Sequence, residues 1–365
     1  MTAFPRLAGL SQLAVALALY SLAPVTSAAT QVAADNSAIR YSGRSEGIGT
    51  DRVTVGWSGA RERLRFRGSG SVAARIEDDS GDNYAMAWID GKPGKKFRLN
   101  SPDAVYTIAE GLDAGEHTVE VVRITECFLG LTHFRGFELD AGAAVLPWED
   151  EFERRIEFIG DSITCGYGVE SGDPQAHFTP ATENFCLGYS GLTARALDAD
   201  CVVVARSGIG MVRDYNGPRD GNPDAMPVVY PETFYMQPEP KWDFSRFTPD
   251  VVCLNLGTND FSTTGVNLDK FVATYADFLR KLLSRYPAAK VVVLAGPMNN
   301  SDELKTALHD AIARLGDTES KRVHFLELSS QGKVGFGADY HPNRAQSGIN
   351  AGELTAFLAD LMNWR

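Results

Sequence analysis

Arg155-Ile156-Glu157-Phe158-Ile159-Gly160-Asp161-Ser162-Ile163-Thr164-Cys165-Gly166-Tyr167-Gly168 opens as a short apolar run and breaks at Gly-Asp-Ser. It then continues into small residues that let the backbone start a helix. The run reads as a buried strand. In an open parallel sheet, ligands bind beyond the carboxyl ends of the strands. A serine at such an end puts its hydroxyl in the crevice, near helix-terminal N–H groups that favour negative charge. Acyl transfer needs its nucleophile there. Gly-Asp-Ser alone is a common tripeptide, so the surrounding chain has to support the reading.

Downstream, the chain alternates strand and helix. Apolar runs recur at Ile156–Ile159, Cys201–Ala205, Val251–Leu256, Val291–Ala295 and Val323–Leu328. Helical stretches are expected at roughly Gly188–Leu197, Leu268–Tyr286, Glu303–Leu315 and Ala345–Asn363. Continuous Val/Ile/Leu runs are what a parallel sheet covered on both faces requires. The expectation is a doubly wound α/β domain over 149–365. Arg213–Asp243 breaks the rhythm, being rich in Pro, Gly and aromatics, and is expected to be a long loop lining the crevice.

Upstream, the segment 35–148 reads as all-β. Short runs such as Arg52–Trp57, Glu62–Arg67, Tyr84–Ile89 and His117–Arg123 alternate with turn signals such as Asp90-Gly91-Lys92-Pro93-Gly94. Strands at this spacing without helical period suggest a β-sandwich or jelly roll. Arg63, Arg65 and Arg67 alternate with Leu64 and Phe66 and read as a solvated face. Trp57 and Trp88 lie in strand runs, so core packing competes with sugar stacking for them. Leu146-Pro147-Trp148-Glu149-Asp150 is no flexible linker, which points to two closely packed domains.

The chain has 365 residues, long enough for two domains. Its formal net charge of −12 and lack of a basic cluster argue against a nucleic-acid partner. Residues 1–28 carry the apolar run Leu13–Ala23 and small residues at Thr26–Ala29, a secretory signal pattern too short to span a bilayer. Five cysteines leave at least one thiol free in a monomer, with Cys165–Cys186 an open pairing and Cys253 a buried thiol. No Cys or His pair has metal-site spacing, so neither a metal nor another cofactor is expected. Oligomeric state is not legible.

The polar residues collect in the turns after the strands. They are Gly160-Asp161-Ser162, Ser207-Gly208-Ile209-Gly210 and Gly257-Thr258-Asn259-Asp260, with Asp339-Tyr340-His341-Pro342 before the last helix. All should converge on one sheet edge. Ser162 then offers a nucleophile and His341 a base. The N–H groups of Ser162 and of Gly208 or Gly210, with the Asn259 amide, offer oxyanion donors. Asp161 reads as a cap on the following turn. His117, His133, His177, His309 and His324 have no partner motif. Tyr215, Tyr230, Phe234 and Tyr235 in the long loop are candidates for an open sugar-stacking wall, with loop packing as the equal alternative, and Tyr340 is a further candidate substrate contact.

This order of motifs resembles the SGNH (GDSL-type) hydrolase superfamily, in which Ser, Gly, Asn and His furnish nucleophile, two oxyanion donors and base. More narrowly, Gly160–Gly168, Lys241-Trp242-Asp243-Phe244 and Asn255–Phe261 resemble carbohydrate esterase family 2. Arg123-Ile124-Thr125-Glu126 and Phe134–Leu139 support the match. The resemblance implies a jelly-roll domain joined to an SGNH domain. It also implies deacetylation of O-acetylated plant polysaccharides such as xylan or glucomannan. The superfamily places an Asp three residues before the His, where this chain has Ala338. Asp339, two residues before His341, is assigned to orient the imidazole, with a backbone carbonyl as the alternative. Another SGNH activity (lipase, thioesterase or peptidoglycan deacetylase) is the competing enzyme reading, and a non-catalytic carbohydrate-binding protein the competing class.

Overall fold

The computed structural model describes residues 1–2, 28–149 and 152–364. The apolar run that carries the leader reading lies outside the described residues. Within them, no helix is long and apolar enough to cross a membrane.

The N-terminal part forms two six-stranded antiparallel sheets. One is built on Thr132–Leu139 between Val53–Val55 and Ser71–Asp78, the other on Glu116–Arg123 between Arg61–Arg67 and Tyr84–Ile89. Alternation along these strands sends Leu64, Phe66, Val119 and Val121 from one sheet, and Val72, Ala74, Phe134 and Phe137 from the other, into a shared core. Arg63 is less exposed than a solvated face predicts, because its guanidinium lies 4.1 Å from the Phe152 ring centroid and 4.9 Å from that of Trp148.

The C-terminal part is a five-stranded parallel sheet. Its order is Ala199–Ala205, Arg154–Gly160, Val251–Asn255, Lys290–Ala295, Val323–Glu327. The sequence order of the strands therefore runs outward in opposite directions from between Arg154–Gly160 and Val251–Asn255, and this switch point opens the crevice. The helices Leu268–Arg285 and Asp302–Ala313 bury their apolar stripes on one face. Tyr189–Ala196 and Arg344–Met362 cover the other.

The two parts share core. Trp57 is buried and donates its indole N–H to the Thr233 carbonyl at 2.8 Å. Trp88 is buried beneath the Arg195 guanidinium, 4.1 Å away. Both tryptophans are therefore seam packing and not sugar contacts. Burying such a side chain contributes on the order of 1.5–3 kcal/mol. Arg44 crosses the same seam to Glu157 at 3.2 Å and to the Tyr230 and Glu232 carbonyls. All five cysteines are buried free thiols, so Cys165 and Cys186 are not paired.

The segment 213–243 is not a simple crevice loop. It holds the helix Met226–Val229 and the hairpin Glu232–Phe234 with Gln237–Lys241. Apolar burial folds it down onto the sheet edge: Tyr230, Phe234 and Trp242 are all buried.

Candidate active site

Ser162 is the first residue of a one-turn helix, Ser162–Cys165, that starts directly off the Arg154–Gly160 strand. Asp161 caps that turn, its Oδ1 accepting the Ile163 N–H at 3.0 Å. The hydroxyl of Ser162 lies 2.8 Å from Nε2 of His341. Nδ1 of His341 lies 3.2 Å from each of the Ala338 and Asp339 backbone carbonyls. Carbonyls only accept, so Nδ1 carries the proton and Nε2 is free to accept from Ser162. Burial lowers the His341 pKa from 6.5 to about 4, only partly countered by those carbonyls.

The carboxylate of Asp339 does not touch the imidazole, which corrects the expectation that it orients His341. It accepts the Tyr167 hydroxyl at 2.6 Å, Nδ1 of His177 at 2.9 Å and the Phe178 N–H at 3.0 Å. Burial opposes its charge, but these donors outweigh it and hold the pKa below the ordinary value. The cause is backbone conformation. Asp339 and Tyr340 both have left-handed φ, +46° and +57°, which turns main-chain carbonyls toward the ring and the carboxylate outward. Gly168 allows the close approach behind this turn. A Cβ there would lie 2.6 Å from the Ala338 Cβ, and the Gly168 carbonyl accepts the Ala338 N–H. Tyr167 then stacks on His341 with centroids 4.0 Å apart.

The pocket in front of Ser162 encloses about 360 Å³ and is lined by Tyr167, Gly208, Tyr215, Asn259, Met298 and His341, among others. Of the two glycines left open, Gly208 lines it. Its N–H, like that of Ser162, has no acceptor among the described residues. Gly210 is not among the lining residues, and its N–H is directed to Asp214 Oδ1 at 3.3 Å. Its missing side chain answers to packing, since a Cβ would fall 1.9 Å from the Arg213 carbonyl and 2.6 Å from Asp260 Oδ2. The Asn259 amide is fixed by the Ile209 carbonyl at 2.9 Å and Asp161 Oδ2 at 3.1 Å. Burial, with Asp260 nearby, pushes Asp161 up to about 7 against the pull of the Ile163 N–H. Asp260 is buried under the N–H groups of Met211, Val212 and Arg213 and shapes the turn carrying Ile209.

The expected aromatic wall is reduced to one member at the pocket. Tyr215 is exposed and lines it. Tyr230 is buried on Glu157, its hydroxyl 2.8 Å from Oε2, and Phe234 is buried, so neither is available to a sugar. Tyr235 packs edge-on against Trp57. Tyr340 is exposed, packs edge-on against Phe336 and is not itself among the lining residues. The aromatics beside the base were missed: Tyr167 stacks on Phe178, 4.7 Å, which meets Phe128 at 5.7 Å. The position of Tyr167 five residues after the serine was the available signal. Among the described residues, Glu126, Cys165 and Glu183 form the one cluster of three potential ligand atoms. Hydrogen bonds to Ser207 already occupy both Glu126 oxygens, and burial raises the pKa of all three groups.

A family model described as Carbohydrate esterase 2 N-terminal matches residues 41–148, and one described as GDSL-like Lipase/Acylhydrolase family matches 158–347. The chain is 34% identical over 335 residues to Cellulase/esterase CelE of Acetivibrio thermocellus, covering 90% of this chain but 40% of that protein. It is 30% identical over 342 residues to an acetylxylan esterase / glucomannan deacetylase of Cellvibrio japonicus, covering 91% of each. A family two carbohydrate esterase from Clostridium thermocellum, solved in complex with cellohexaose, superposes with a TM-score of 0.84 at 33% identity. That likeness covers 90% of this chain and all of the other.

Proposed function

Because the chain belongs to carbohydrate esterase family 2, we propose that it is an exported serine esterase that removes O-acetyl groups from plant cell-wall polysaccharides of the acetylxylan or acetylglucomannan kind. The observation that carries this reading is the 2.8 Å contact of Ser162 Oγ with His341 Nε2 in a pocket shared with Gly208 and Asn259. Export rests on the signal pattern of residues 1–28.

Ser162 Oγ attacks the acetyl carbonyl while Nε2 of His341 takes its proton. The new charge on the carbonyl oxygen is met by the N–H groups of Ser162 and Gly208, and the Asn259 amide, which lines the same pocket, joins them when its side chain swings off Asp161. The imidazolium keeps its Nδ1 proton on the Ala338 and Asp339 carbonyls. It then protonates the departing sugar oxygen, leaving acetyl-Ser162. Water attacks that ester, gives its proton to Nε2, and acetate leaves as Ser162 regains its own. The machinery is a Ser–His dyad oriented by main chain.

The test is acetate release from a panel of acetylated glycans with the Ser162→Ala protein as control. Release by wild type and none by the variant supports the reading; release by both ends it.

A further inference from the structure

Glu126 follows the Glu116–Arg123 strand of the β-sheet domain and precedes the short turn Cys127–Leu129; its side chain is fully buried. It reaches across the seam to Ser207. Oε2 accepts the Ser207 N–H at 2.5 Å, and Oε1 accepts the Ser207 hydroxyl. On its other side, Ser207 is held through its carbonyl, which accepts Nη1 of Arg206 at 3.0 Å. That carbonyl shares a peptide plane with the Gly208 N–H, and a trans peptide points the two groups in opposite directions. Fixing Ser207 at both ends therefore aims the Gly208 N–H. Gly208 has no side chain to fix itself by packing, and its φ of +78° is one that glycine leaves soft.

Behind Glu126 stands a second buried carboxyl. Glu183 Oε2 accepts the Glu126 N–H at 3.1 Å, while no donor among the described residues reaches its Oε1. Two adjacent carboxylates out of water repel strongly. A proton on Glu183 removes the repulsion and turns its unpartnered oxygen into a donor toward Glu126. Burial and the charge of Glu126 push Glu183 well above the carboxylate range, whereas at Glu126 burial also raises the pKa but the Ser207 donors offset part of it. Of the two, Glu183 is pushed up further.

We propose that Glu126 is the positioning residue for the oxyanion-binding turn Ser207–Gly208, so that the β-sheet domain completes a donor set belonging to the α/β domain. This rests on the serine-esterase reading above and names a part for the N-terminal domain in the same chemistry. A donor aimed at the developing oxyanion acts in the transition state, so its loss falls on kcat and spares KM.

The experiment measures kcat and KM for 4-nitrophenyl acetate and for acetylated xylan, with urea unfolding of each full-chain variant. Removing an oxyanion donor costs on the order of 10²–10³ in kcat. Glu126→Ala, which leaves the donor in place but loose, is expected to lose about 10²-fold in kcat with KM within about twofold. Glu126→Gln keeps an acceptor for the Ser207 N–H and should recover most of that loss, to within about tenfold of wild type. A wild-type kcat in Glu126→Ala, or a loss confined to KM, overturns the proposal. So does equal impairment of the Ala and Gln variants. Should Glu126→Ala not fold, Ser207→Ala decides: a lowered kcat at unchanged KM supports the proposal and a wild-type kcat overturns it. Ser162→Ala runs alongside; turnover there would end the esterase reading itself, whatever Glu126 does.

Discussion

Replacing Asp339 with Asn separates a dyad from a triad. Where a carboxylate orients the imidazole, as in the serine-protease triad, Asp→Asn costs about 10⁴ in kcat, or roughly 5.4 kcal/mol at about 1.36 per decade. In this protein the carboxylate meets Tyr167, His177 and the Phe178 N–H, and His341 is held by carbonyls that the substitution leaves intact. Among the described residues, the side-chain contact that links the Asp339 carboxylate to His341 is the Tyr167 ring, stacked 4.0 Å from it. Such a ring pair is worth about 0.5–1.5 kcal/mol, so losing it entirely slows turnover by about tenfold at most. The expected result is kcat/KM for acetate release within about tenfold of wild type at pH 7. Tyr167→Phe, which keeps the ring and removes the bond to Asp339, should behave alike. A loss of 10³-fold or more in Asp339→Asn, with the fold intact by urea unfolding, would refute the dyad and place the carboxylate on the imidazole during catalysis.

Five further outcomes can be measured. His341 must be neutral to accept a proton, and its pKa is lowered to about 4. The acid limb of the kcat/KM profile should therefore fall near pH 4, well below an ordinary histidine limb near 6.5. Because the folded pKa lies below the unfolded one, the unfolded chain binds this proton first. The stability His341 contributes is present above about pH 6.5 and lost as pH falls toward 4, which urea midpoints across that window would register. Gly168→Ala forces a left-handed φ of +57° on a residue with a Cβ and brings it 2.6 Å from Ala338. It should cost at least about 1–2 kcal/mol of stability and, by shifting the His341 turn, about tenfold or more in kcat. Arg44→Ala leaves Glu157 buried without its ion-pair partner and should lower unfolding free energy by about 3–5 kcal/mol in a urea titration. Finally, an acetyl ester should outrun an octanoyl ester in kcat/KM; preference for the longer chain would favour a lipase or thioesterase.

Much of this architecture is legible in the chain because it depends on local periodicity. The five apolar runs fall within a residue or two of the five parallel strands, from Arg154–Gly160 to Val323–Glu327. The turns after them carry Ser162, Gly208 and Asn259 to one pocket, because parallel strands end on one side. The aromatic-rich segment failed where burial had to be known. Tyr230 and Phe234 are as apolar as a sugar platform requires, and a core uses the same property.

The sequence by itself determined the two fold classes and marked Ser162 and His341 as the candidate nucleophile and base, since each reading follows from residue type, period and position next to a strand or helix end. The tertiary structure decided which groups face Nδ1 of the imidazole, which of the two glycines lines the pocket, and what Ser207 is bonded to. Those answers turn on directions of main-chain carbonyls and on contacts between residues far apart in sequence, such as Glu126 with Ser207 and Gly168 with Ala338. Asp339 shows the difference most plainly. Its place beside His341 in the chain suggested a partner, and two consecutive left-handed residues turned its carboxylate the other way.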